Sequence, residues 1–341
     1  MTIKDIARLS GYSLGTVSRV LNNHPDVSRK ARERVMAVVQ EQGFEPNTNA
    51  RHLKMRAKSA VAVLVKGSQN LLFSDILERI QAKFLTSGEE VYVDYLDEDD
   101  NEIQYAMQLS KQKTPRGFLF LGGDMEFFRR DFSNLTVPCV LLTNDARELN
   151  FSNLSSFSTD DGAGAKEAVD YLYACGHRKI GVLGGNLSKD QISYRRLEGV
   201  YRSAGKWGLE FETERQYEPC RYSMAAGYEA AKRLLKREPE LTAIFALGDV
   251  IALGAMRAMA DLGLKIPEDI SIIGYDGIVS SAYSIPRLTT IRQDGEALAD
   301  SGVRTLLQSI HYELPPVHER IPFQLVERES VCRRTGNINT G

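Results

Sequence analysis

Hydrophobic residues change their spacing along this chain. In the first 43 residues they recur every three or four positions in three short blocks: Ile3, Ile6 and Ala7 after Thr2; Val17, Val20 and Leu21 after Ser13; Ala31, Val35 and Val38 after Ser28. That period predicts three amphipathic helices, and Thr2, Ser13 and Ser28 are side chains that cap a helix start by accepting from its first-turn N–H groups. Gly11 predicts a tight turn between the first two helices and Gly43 the end of the third. From residue 59 the pattern is different: the β-rich runs AVAVLV, EVYVDYL, GFLFL, PCVLLT, KIGVLG, TAIFAL, ISIIGYD and LTTI alternate with amphipathic stretches at 75–87, 102–112, 163–175, 224–236 and 250–262. Such alternation predicts parallel sheets flanked by helices. Eight runs over about 280 residues exceed one comfortable sheet, so a division into two subdomains is expected near Ser158.

Composition fits a globular protein, with 43% hydrophobic and 26% charged residues in 341. The longest apolar run, AVAVLV, falls far short of the roughly 20 residues a bilayer span needs. No apolar leading segment precedes the first helix, so a cytoplasmic protein without membrane contact is expected. Cys139, Cys175, Cys220 and Cys332 are scattered without a C-x-x-C pair, which suits reduced thiols. No cofactor or metal is expected: GVLGGN and FLGGD do not complete a dinucleotide fingerprint, and no His/Cys/Glu cluster appears. The net charge of −2 hides an asymmetry, because residues 1–58 carry eleven Lys/Arg against five Asp/Glu. A basic end on an acidic body suits contact with nucleic acid through that end.

Small Ala7, turn Gly11 and inward Val17 have the spacing of a helix-turn-helix, whose second helix enters the major groove. Here it begins SLGTVSRVL. Leu14 can press on a thymine methyl, Gly15 lets the helix approach the bases, and Arg19 can reach a guanine or a phosphate. Thr16, Ser18, Asn22 and the positive helix end after Ser28 are read as phosphate contacts, which fix register. The stretch EPNTNARHLKMRAK (45–58) holds four cations and could form a helix of only about two turns, marginal in water unless docked; a flexible linker is the other reading.

Over essentially its whole length the chain resembles the LacI/GalR family of transcriptional repressors. TIKDIARLSGYSLGTVSRVLNNHPDVSRKARERV resembles the family's DNA-binding headpiece and PNTNARHLK its hinge helix. The resemblance implies that Leu53 is levered into the minor groove at the centre of a palindromic operator, with Ala50 and Lys54 beside it. Tyr12 and His52 stand where smaller residues are usual, which leaves operator preference open. The implied fold class is α/β: an all-α helix-turn-helix headpiece (1–46), a hinge helix or linker (47–58), and two Rossmann-like parallel-sheet subdomains of periplasmic-binding-protein type (59–341). The first subdomain is expected at about 59–158 and 292–319, the second at about 159–291 and 320–341.

In such folds a ligand binds at the carboxyl ends of strands, between the halves. Candidates that follow strands or their loops are Phe73, Thr143, Asn144, Asp160, Arg196 after the VLGGNLSKDQISY loop, Tyr222, Gly248, Asp249 and Asp276. Carboxylate and guanidinium groups beside aromatic faces suit a polyhydroxylated ligand. By resemblance, RLEG marks Arg196 as the effector-binding arginine, GYD marks Asp276, and Tyr222 takes an aromatic position over a sugar. Thr143, Gly248 and Gly295 replace an Asp, an Asn and an aromatic found in some members. Asp249 and Asp160 are also placed to cap helices, and Arg196 could pair with Glu198. The reading is a homodimeric or larger DNA-binding regulator, not an enzyme, binding double-stranded palindromic DNA and a small effector; the family resemblance makes carbohydrate the default, with a purine or a sugar phosphate as alternatives. The alternative is a cytosolic sugar-binding or sugar-processing protein with an accessory basic module.

Overall fold

A computed structural model of the protein describes residues 3–21, 27–42, 60–67, 69–312 and 314–334. The chain divides into two compact units, residues 1–57 and 58–341.

The smaller unit holds α1 (Ile3–Ser10), α2 (Leu14–Leu21) and α3 (Arg29–Glu41). Its core is Ile6, Val17, Val20, Val35 and Val38, with Ala7, Tyr12, Leu21, Val27 and Val39 packed around them. Tyr12 is thus a core-edge side chain, which accounts for a large residue in the turn. Gly11 has φ 75°, and a Cβ there would meet nothing within 4 Å, so backbone conformation rather than space requires glycine. The Ser13 hydroxyl oxygen accepts from the Thr16 N–H at 3.2 Å and that of Ser28 from the Ala31 N–H at 3.3 Å. Thr2 and Gly43 lie outside the described residues. The last helix stops short of position 43, its cap being Gln42, whose N–H bonds back to the Val38 carbonyl. Ser28→Ala should cost α3 about 0.5–2 kcal/mol, seen as faster amide exchange along α3 in the full-length chain; unchanged protection would contradict the cap.

The larger unit runs β1 (Val61–Lys66), α4 (Leu71–Ser87), β2 (Val91–Leu96), α5 (Glu102–Lys113), β3 (Phe118–Leu121), α6 (Met125–Asp131), β4 (Cys139–Leu142), β5 (Leu154–Ser158), α7 (Asp161–Ala174), β6 (Ile180–Leu183), α8 (Ile192–Lys206), α9 (Thr213–Gln216), β7 (Tyr217–Glu218), α10 (Met224–Arg237), β8 (Ala243–Ala246), α11 (Asp249–Asp261), β9 (Ser271–Asp276), β10 (Thr289–Gln293), α12 (Gly295–Tyr312), β11 (His318–Arg320) and β12 (Phe323–Val326). One sheet has the order β11-β5-β4-β3-β1-β2, the other β12-β10-β9-β8-β6-β7. Every pairing is parallel except β12, antiparallel to β10. Central strands such as β1, β3, β8 and β9 are buried along their whole length, as continuous apolar runs between two helix layers must be. Among the described residues no helix is long and apolar enough to cross a membrane.

The chain passes between the sheets after Ser158, after Gln293 and after Arg320. The last two crossings differ from the expected boundaries. Arg292 pairs with Asp276 and Gln324 in the second sheet, and Arg320 pairs with Ser158 in the first, because both strands run one or two residues further before turning. The helix Ile192–Lys206 starts inside the segment expected to be a loop, so Arg196 belongs to a helix and not to a loop end. Close helix crossing shapes the second half: a Cβ on Gly254 would lie 2.0 Å from the Met224 carbonyl oxygen and one on Gly227 2.4 Å from that of Ile251. Only glycine lets α10 and α11 approach to that distance.

Candidate DNA interface and effector cleft

In the headpiece, Val17 and Val20 fix one face of α2 in the core. Arg19 and Gly15 consequently face outward and are exposed. A Cβ on Gly15 would have only the Ser13 hydroxyl near it, at 3.9 Å, so packing within the unit does not call for a bare backbone there. The Thr16 hydroxyl bonds to that of Ser13 at 2.9 Å, beside the N–H groups at the start of α2. Leu14 and Ser18 belong to α2, but their side chains are outside the described set, as are Asn22, Ala50, Leu53 and Lys54 entirely. Ser28 is exposed at the start of α3, where its hydroxyl serves the cap.

In the larger unit a cavity of about 520 Å³ opens between the two sheets. Among the charged residues that line it is Arg196, in the second turn of α8 and 3% exposed. The guanidinium donates through Nε to Asp161 Oδ1 at 2.8 Å, through Nη1 to the Leu247 carbonyl, and through Nη2 toward Asp276 Oδ1 at 3.5 Å. It lies 3.7 Å from the centre of the Tyr275 ring. Burial disfavours the Arg196 charge, but Asp161 and Asp276 outweigh it and hold the group cationic. Gln293 donates to Asp276 Oδ1 at 2.8 Å and accepts from the Thr159 hydroxyl at 2.8 Å. Burial pushes the Asp276 carboxyl up to about 6, with Arg196 and Gln293 opposing. Two buried atoms of residues that line the cavity, Asp276 Oδ2 and the Tyr222 hydroxyl, have no hydrogen-bond partner among the described residues.

The structure sorts the expected ligand residues. Phe73, Thr143, Asn144, Arg196, Tyr222 and Asp276 line the cavity together. Thr143 and Asp276 turn the chain at strand ends with φ 75° and 109°, and Asn144 is held by its amide on the Gly123 carbonyl at 2.9 Å. Gly248 lies behind the lining: a Cβ there would stand 3.0 Å from Tyr222 Cδ1 and 3.4 Å from Asp276 Oδ2, so its absence makes room for both. Asp249 does not reach the cavity. Fully buried, it accepts from the Thr290 hydroxyl at 2.6 Å and the Ile278 N–H at 2.9 Å, tying α11 to the strand ends. Asp160 caps the Ala163 N–H at 3.0 Å and pairs with Arg320 at 2.5 Å on a separate crevice. Asp161, its neighbour, is the carboxylate that meets Arg196. Arg196 itself does not pair with Glu198, and Gly295 is outside the lining, against Asp75 and Ile76.

Lys66, Asp124, Gln191, Arg221 and Gln293 also line the cavity and are not among the residues expected from the sequence. Lys66 and Gln293 end strands, the rule that found Asp276, and could have been found by it. Lys66 is buried on Glu102 at 2.6 Å, whose other oxygen accepts from the Asp124 N–H at 2.6 Å. Contacts also join the two subdomains across the cavity mouth: Gln191 with Asp124 at 2.5 Å, Arg129 with Asp190 at 2.9 Å, and Arg221 with Asp97 and, at 3.4 Å, Glu98. Asp276→Asn keeps an acceptor for Gln293 and leaves Arg196 its closer partner Asp161 at 2.8 Å, so the unliganded melting temperature should stay within a few degrees of wild type. Scanning calorimetry checks this; a drop near 10 °C would contradict the view of Asp276 as a ligand group.

The description "Bacterial regulatory proteins, lacI family" matches residues 2–47, and "Periplasmic binding protein-like domain" matches residues 169–331. The chain is 35% identical to the HTH-type transcriptional regulator MalR of Clostridium butyricum over 97% of this chain and 99% of that protein. It is 32% identical to the ribose operon repressor of Haemophilus influenzae over 91% and 92%. A crystal structure of the lac repressor dimer bound to operator and the anti-inducer ONPF superposes with a TM-score of 0.71 at 28% identity, covering 97% of this chain and 99% of that one. End-to-end likeness of this kind, on a helix-turn-helix unit joined to two parallel sheets around a polar cleft, shows that the chain belongs to the lacI family of bacterial regulatory proteins and is a DNA-binding transcription regulator, not an enzyme.

Proposed function

We propose that the protein is a dimeric repressor whose hold on a palindromic operator is set by a small polyhydroxylated effector in the cleft, and that it works in the cytoplasm, where DNA is. Leu14, Gly15 and Arg19 on α2 read base edges; Thr16, Ser18, Asn22 and Ser28 hold phosphates. Ala50, Leu53 and Lys54 of the 47–58 segment enter the minor groove. Phe73, Thr143, Asn144, Arg196, Tyr222 and Asp276 hold the effector, with Gln293 added to them. One observation carries the effector reading: Asp276 and Tyr222 line the cavity, and Asp276 Oδ2 and the Tyr222 hydroxyl are buried without partners among the described residues, which costs free energy that a hydroxylated ligand would recover. The ribose operon repressor among the relatives supports a sugar. Since burial pushes the Asp276 carboxyl up to about 6, a hydroxyl donating to its carboxylate is held above that pH, and binding should weaken as the pH falls below it.

Selection of duplexes from a random library by the full-length chain tests the DNA half of this reading. Enrichment should converge on a two-fold symmetric sequence, as a symmetric dimer requires. Recovery of unrelated sequences in proportion to their input would contradict it.

A further inference from the structure

We infer that the cleft takes an uncharged saccharide and turns away phosphorylated and other anionic ligands. This rests on the reading of the cavity as the effector site and adds the ligand's charge. The cations that line the cavity are already matched. Lys66 is buried on Glu102 at 2.6 Å. Arg196 is held between Asp161 and Asp276, at 2.8 and 3.5 Å. Arg221 lies among Asp97, Glu98 and Asp99. Within the lining itself the carboxylates Glu98, Asp99, Asp124 and Asp276 outnumber the cations Lys66, Arg196 and Arg221.

Helix starts, which often receive anions, are occupied or guarded here. Asn70 caps α4 on the Leu72 N–H at 3.1 Å, and Asp124 caps α6 on the Glu126 N–H at 2.9 Å. The start of α8 has no side-chain cap, but Asp190 precedes it and Gln191 ties Asp124 against it. Among the described residues that line the cavity, no lysine or arginine is left without a carboxylate partner to meet an entering phosphate.

The groups without partners have the opposite need. The ionised Asp276 Oδ2 can only accept, and the Tyr222 hydroxyl can do either. A neutral hydroxyl supplies the donor; a phosphate dianion cannot. Around them Asn70, Asn144, Asn186 and Gln191 present amides, each able to donate and accept, as the hydroxyls of a sugar also do. Phe73, Phe127 and Tyr222 supply flat apolar area for ring C–H faces. A cavity of about 520 Å³ lies within the usual range for a small-molecule site.

The test uses the purified full-length protein in thermal-shift and titration calorimetry experiments. Maltose, cellobiose, sucrose, trehalose and ribose are compared with glucose 6-phosphate, sucrose 6-phosphate, trehalose 6-phosphate and ribose 5-phosphate; hypoxanthine and guanine are added. At least one neutral sugar should raise the melting temperature, its phosphorylated counterpart should bind at least about 100-fold more weakly, the penalty of facing like charges, and Asp276→Asn should remove the neutral sugar's binding. Tighter binding of a phosphorylated sugar than of its parent, binding of a base alone, or no response to any neutral sugar would overturn the inference. A symmetric operator released by a phosphorylated sugar would sink this inference and leave the effector-controlled repressor standing. Failure to select any operator would instead sink the repressor reading.

Discussion

Arg196→Met should lower the stability of the larger unit by about 3–5 kcal/mol and abolish the response to effector. The substitution removes the cation between Asp161 and Asp276 and leaves two carboxylates buried, 5% and 2% exposed, without it. Breaking a buried ion pair from one side carries a cost of that size because the stranded charge has nothing to replace its lost hydration. For a unit of this length the melting temperature should fall by about 10 °C. Asp161→Asn in the same chain should restore part of the loss, since one stranded charge disappears. Scanning calorimetry of the single and double variants reads both effects. A single variant within 1 °C of wild type would mean that the network contributes little, and retained effector response would remove Arg196 from the site.

Arg19→Ala should weaken operator binding by about 1–3 kcal/mol, roughly 5- to 150-fold, and relax preference at one base pair. Arg19 is exposed on α2 while Val17 and Val20 beside it hold the headpiece core, so folding is not in question. Binding to random duplex should change only through one lost cation, lowering the salt slope by about 1. Fluorescence anisotropy on operator and on random duplex at several salt concentrations separates the two. An equal loss on both would make Arg19 a phosphate contact rather than a reader of bases.

Strands and caps were legible where one physical rule governs them. Central parallel strands are buried on both faces, so β1, β3, β4 and β8 stand out as unbroken apolar runs. Ser13 and Ser28 cap because their position before an apolar period allows little else. The start of α8 was not legible for an equally definite reason. Part of its buried face is Ser193, Gly199 and Ser203, and Gly199 sits so close to α7 that a Cβ would lie 2.4 Å from the Gly162 carbonyl oxygen. Small residues made for close packing carry no hydrophobic period. Asp160 and Asp161 show a finer limit: adjacent carboxylates at a helix start, one turned to the cap and one to the core, a choice that depends on an arginine 35 residues further on. The strand-end rule points to Lys66, but its burial on Glu102, 36 residues further on, is a tertiary contact that the local pattern does not carry.

The cleft's control over the headpiece is tested most directly by operator titrations of the full-length chain with and without a saturating neutral sugar found by the thermal-shift panel, run in parallel on Asp276→Asn. The account predicts that sugar shifts operator affinity of the wild type by about 5- to 150-fold, the usual range of coupling between sites, while the variant binds operator as tightly as the unliganded wild type and does not shift. Equal affinity with and without bound sugar, or an undiminished shift in Asp276→Asn, would contradict it.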